Sequence, residues 1–81
     1  MLLYFEFEEK RRKADVTWPK NEGNIVVHVT DKELAKKLPT DLYFEVDASN
    51  KVVFTIEDPA NKRLLELQNV IGRRLQELVN R

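Results

Sequence analysis

The stretch RLLELQNVIGRRLQELVNR, Arg63 to Arg81, closes the chain and decides how the rest is read. At about 100° per residue, Ala60, Leu64, Leu67, Ile71, Leu75 and Leu78 fall within about 40° of one line, the mark of an amphipathic helix. The apolar period follows 3.6 rather than 3.5 residues, which suits a straight helix on a sheet better than a coiled coil. Asp58 is placed to cap its start. Pro59 then takes the first helical position, where a missing N–H costs nothing. A second row, Leu65, Gly72 and Val79, lies to one side of the first. Glycine in mid-helix costs about 1 kcal/mol relative to alanine. It also removes a Cβ, so this row predicts close approach by another backbone or by a neighbouring helix.

Upstream of this helix the period drops to two. DLYFEVDASNKVVFTIED, from Asp41, reads as a hairpin with Leu42, Phe44 and Val46 inward on one arm and Val52, Phe54 and Ile56 on the other. DASN between them supplies side chains that cap their own turn. TDKELAKKLP reads as a short helix: Thr30 and Glu33 have capping-box spacing, Leu34, Ala35 and Leu38 form an apolar side, and Pro39 stops it. NIVVHV is a β-branched strand, and its run from Ile25 to Val29 suggests a central position with cover on both faces. LLYFEFEE alternates, with Leu3, Phe5 and Phe7 on one face and Tyr4, Glu6 and Glu8 on the other. KRRK, Lys10 to Lys13, extends or ends that strand, and DVTW forms a short second one. PKNEGN supplies turn chemistry around Gly23. The expected order is β-β-β-α-β-β-α over a single domain, residues 1–81. This is an α+β fold, with an antiparallel four- to five-stranded sheet under a long C-terminal helix.

Composition narrows the function classes. The 81 residues are 42% hydrophobic and 35% charged, a globular balance. There is no cysteine, so disulfides and zinc–thiolate sites are excluded, and a small domain short of core turns most readily to oligomerisation. MLLYFEFEEK lacks the basic lead of a signal peptide, and no segment approaches the length of a membrane span. A cytoplasmic location is expected. Fourteen basic and 14 acidic residues cancel, which argues against a dedicated nucleic-acid binder. The outer sheet face argues the same way, because Glu6, Glu8, Glu45 and Asp47 are expected to share it.

Length supplies the positive expectation. A helix from Pro59 to Asn80 spans about 33 Å, and strands of about six residues span about 20 Å. The helix is therefore expected to overhang its sheet by about two turns, with Leu75, Leu78 and Val79 at the tip. Leaving large side chains in water forfeits about 1.5–3 kcal/mol each. A second copy or another protein would cover them, which makes Leu65, Gly72, Leu75, Leu78 and Val79 the candidate partner-binding residues of a homodimer or protein-binding module. The alternative is a nucleic-acid-binding module in which Lys10, Arg11, Arg12 and Lys13 hold phosphates and Trp18 stacks on a base. Chemistry is hard to assemble from the rest. His28 is the single histidine, with no partner ligands at metal spacing and no nucleophile beside it. Glu45 and Asp47 read as surface charge, and Gly23 and Gly72 form no phosphate loop. Arg73-Arg74 could clamp an anion, though one of them should merely flank the buried stripe with its head in water. The chain reads as non-enzymatic, with no cofactor.

Overall fold

Alternation in the strands and the 3.6-residue period of the last helix resolve into two layers. The computed structural model describes residues 1–20, 23–54 and 58–80. Along the chain it has β1 (Leu2–Phe7), β2 (Lys10–Thr17), β3 (Ile25–Val29), α1 (Lys32–Ala35), β4 (Asp41–Val46), β5 (Val52–Phe54) and α2 (Lys62–Val79). The strands form one antiparallel sheet in the order β1-β2-β3-β4-β5, each beside its neighbour in sequence. The expected class and element order both hold. No helix among the described residues is long and apolar enough to cross a membrane.

The core lies between the sheet and α2. Leu3, Phe5 and Phe7 of β1 meet Ala14 and Val16 of β2, Ile25, Val27 and Val29 of β3, and Leu42 and Phe44 of β4. Leu64, Leu67, Ile71 and Leu75 of α2 close it from above. Phe54 meets Phe44 edge to face at 5.7 Å. Because α2 touches both outermost strands, β1 and β5, the sheet curls around it.

Several boundaries differ from the sequence expectation. KRRK neither extends nor ends β1; it opens β2, and Glu8-Glu9 makes the hairpin turn. Both glutamates have positive φ, 55° and 62°, as in the two-residue turns that usually use Asn-Gly. Thr30 does not cap α1. The carboxylate of Asp31 accepts from the Leu34 N–H instead, while the Thr30 hydroxyl donates to the Lys13 carbonyl. Ala35 is exposed. Asp58 caps a turn that contains Pro59 and Ala60, so Ala60 is exposed and α2 begins later, with Asn61 accepting from Leu64 N–H. In the β4–β5 hairpin, Val46 is expected inside but is 41% exposed: it pairs with Val52 of β5, while the β3 ladder stops at Phe44 and leaves its other side open. Val52 and Phe54 pack partly against the core, and the expected inward Ile56 lies outside the described residues.

The overhang is also corrected. α2 has 18 residues, about 27 Å, fewer than expected, and β2, the longest strand, runs about 26 Å over 8 residues, so the helix outreaches only the shorter strands. Leu75 is fully buried and Leu78 packs against the core. Gly72 does not open the helix to a partner. A Cβ there would stand 3.7 Å from the Phe44 ring, so the bare backbone faces the protein's own sheet.

That spacing is ordinary van der Waals contact, and helical φ suits alanine. Gly72→Ala is expected to raise stability by about 0.5–1 kcal/mol in urea unfolding. Gly72→Leu, forced onto Phe44, is expected to lower it by about 1–3 kcal/mol. A loss for the alanine variant would mean that the helix has no room there.

Candidate partner-binding surfaces

The basic cluster is largely used inside the molecule. Reading β2 back from Val16 through Ala14 places Arg12 on the core face, where it is 3% exposed. Its guanidinium donates to the Phe7 carbonyl, to Asp31 Oδ1 at 3.1 Å and to Glu33 Oε1 at 3.1 Å. Burial alone would lower the Arg12 pKa, but Glu33 and Asp31 offset this and hold it above the ordinary value. Lys10 also donates to Glu33, and Arg11 lies over the Tyr4 ring with 4.6 Å to the centroid. Lys13 is exposed. Trp18 is half-buried against the core, its indole N–H directed at the Met1 sulfur. The cluster thus works mainly as a clamp between the first hairpin and α1.

The strained turn belongs to the same clamp. Arg63 of α2 grips the Glu8 carboxylate with two donors, at 2.9 and 2.6 Å, and Arg12 adds a longer contact at 3.6 Å. These contacts oppose the cost of a left-handed glutamate.

The outer sheet face is mixed in charge rather than acidic. Glu8 lies in the turn, and Asp47 turns inward on its own loop, accepting from Ser49 and from Lys51 N–H. Arg11 and Lys13 instead join Glu6 and Asp15 on that face, because β2 extends through KRRK. His28 sits beside Asp41 with Nδ1 2.6 Å from its carboxylate. Leu2, Tyr4, Tyr43 and Val53 are exposed around them. Among the described residues, no group of three or more His, Asp or Glu side chains is placed to hold a metal ion.

Two features of α2 were not visible from local sequence. Gln76 accepts from Val52 N–H at 2.7 Å and donates to the Asn50 carbonyl at 2.8 Å, covering the margin of β5. Arg74 donates from Nε to the Tyr4 carbonyl at 3.1 Å, on the margin of β1. Both contacts depend on which strands are outermost, and the sequence patterns do not state that.

The residues expected to bind a partner are divided. Leu75 is hidden and Gly72 faces Phe44. Leu65, Leu78 and Val79 are partly covered, and on the helix Leu65 and Val79 share the flank of Gln76 toward β5. On the opposite flank an open groove of about 530 Å³ separates the β1 margin from α2. Tyr4, Glu6 and Arg11 line one wall, and Val70, Arg73 and Arg74 the other. No family model matches the chain, and no curated protein or solved structure matches it either.

Removing the Arg12 clamp leaves carboxylates that can rehydrate, since Glu33 is more than half exposed. Arg12→Leu is therefore expected to cost about 1–3 kcal/mol, below the usual penalty for a broken buried pair, as read by thermal unfolding. An unchanged midpoint would remove the clamp from the account. The pH dependence follows from the carboxylates. Glu33 is held below its ordinary 4.5 by hydrogen bonds from Lys10 and Arg12, and Glu8 below 4.5 by its hydrogen bond to Arg63. Their folded pKa values lie under the unfolded ones, so their contribution is complete above the unfolded pKa and is lost as pH falls through the folded values. The urea midpoint is expected to drop as pH falls below the ordinary glutamate value of 4.5, and less steeply in a Glu8→Gln/Glu33→Gln variant. Parallel curves for the two proteins would contradict this.

Proposed function

We propose that the protein is a non-enzymatic protein-interaction module that self-associates along the side of α2 facing β5. The observation that carries this reading is a row of incompletely covered apolar side chains along β5 and the helix flank beside it. Val46, paired with Val52 of β5, is 41% exposed. Val52, Phe54, Leu65 and Val79 are each partly covered on that side.

Burying what is left of such side chains is favourable at about 25 cal/mol per Å² of apolar surface. A second copy laid along this side supplies the cover in the commonest kind of assembly, a symmetric dimer. Gln76 already occupies the backbone groups of Val52 and Asn50, so the contact joins side chains rather than strands. A cytoplasmic location belongs to the same reading and rests on the cysteine-free composition.

Light scattering across a dilution series is expected to show a dimer that dissociates on dilution. Leu65→Asp/Val79→Asp is expected to shift the dissociation constant upward by about tenfold or more, each charge being left against apolar surface. A strict monomer at high concentration would remove self-association from the reading.

A further inference from the structure

We propose that the open margin of β1, with the groove between it and α2, docks an extended and mainly apolar segment of another protein carrying a carboxylate. The argument starts from the strand ladder. Met1 and Val16 exchange backbone hydrogen bonds in both directions, so Met1, Leu3, Phe5 and Phe7 direct their N–H and C=O groups at β2. Leu2, Tyr4 and Glu6 therefore direct theirs away from the sheet. Among the described residues, no strand lies beyond β1. Outward groups at every second residue match the two-residue repeat of an added strand, which is how sheet margins capture extended peptides.

Arg74 shows that the margin accepts such bonds. Its Nε stands on the Tyr4 carbonyl where the N–H of an incoming strand would stand. The groove beside it offers apolar surface through half-buried Val70 and the Tyr4 ring, over the edge of buried Phe5. Its charges are Arg11, Arg73 and Arg74 against Glu6 and Glu77. Glu77 is paired with Arg74, and Glu6 lies across from Arg11 in the strand register. Three arginines against two glutamates leave the groove one net positive charge. Neither Arg11, which lies over the Tyr4 ring, nor Arg73 forms an ion pair among the described residues, and Arg73 is the one with no ring contact either. A segment that lays alternate apolar side chains into the groove and offers Arg73 a carboxylate is complementary in both respects. A second copy of this chain fits less well, because a two-fold through β1 would set both Arg73-Arg74 pairs against one groove. A nucleic acid fits less well too, since Glu6 and Glu77 line the same space and a sugar–phosphate backbone cannot continue the ladder.

The test is a titration of isotope-labelled protein, followed by amide NMR shifts, with an acetylated, amidated hexapeptide of alternating valine and glutamate. A valine–lysine hexapeptide and an oligothymidine serve as comparison probes. The expected result is saturable shifts at Leu2 to Phe7 and Val70 to Glu77, with the lysine peptide about tenfold weaker or worse. Arg73→Glu should weaken the glutamate peptide by about tenfold while leaving circular dichroism unchanged. Glu6→Pro removes one outward N–H but no ladder bond, and should weaken both peptides. No saturable shift with the glutamate peptide, equal binding of the lysine peptide, or tighter binding of the oligothymidine at these amides would each overturn the proposal.

Discussion

A meander of five strands ends in two unpaired margins, and here one helix serves both. α2 lies in the concavity of the sheet with its apolar stripe against β1 through β5, so the core closes only where the helix is present. Polar side chains on its two flanks then reach opposite borders: Arg74 holds the Tyr4 carbonyl and Gln76 the Val52 amide. Burial supplies most of the energy. The polar contacts set where along the sheet the helix sits, because a shift by one turn would pull both side chains off their partners. Exposed strand margins invite pairing with other chains, and a helix that occupies parts of both limits where such pairing can happen.

A second brace holds the opposite end of the molecule. Arg12 is buried at the start of β2 and collects the Phe7 carbonyl and the carboxylates of Asp31 and Glu33, which joins the first hairpin to α1. Glu8 in turn is gripped by Arg63 at the start of α2. Three elements distant in sequence thus meet through one chain of charges. Ion pairs in partial contact with water add little individually, but one residue with several partners fixes geometry that an apolar contact would leave loose.

Much of the fold was legible because it rests on periodicity. Leu3, Phe5 and Phe7, and Leu64, Leu67, Ile71 and Leu75 fell where alternation and the helical period put them. The Ile25–Val29 run took its central place, though only Ile25, Val27 and Val29 are buried and its outer face is not covered as expected. The errors have a common cause. Charged residues were read as strand ends, yet Arg12 carries on the inward pattern of Val16 and Ala14, and tracing that pattern backward would have lengthened β2 and cancelled the overhang. The Glu8-Glu9 turn lacks the glycine or asparagine that announces such turns, since distant arginine contacts rather than local propensity oppose its strain. The exposed margins, and with them the groove, depend on strand order, to which local patterns are blind.

The meander also bears on how the chain acquires its structure. Strands that neighbour each other in sequence pair directly, with α1 the one helix set between two of them, so the ladder from β1 to β5 can assemble stepwise at modest loop entropy for each closure. No hairpin along the way has a dry side. The stripe that seals the concavity is encoded in the final quarter of the polypeptide, and Arg63, which relieves the first tight bend, lies 55 positions beyond Glu8. Cooperativity is therefore concentrated in the last step, when early pieces that are weak separately become mutually dependent.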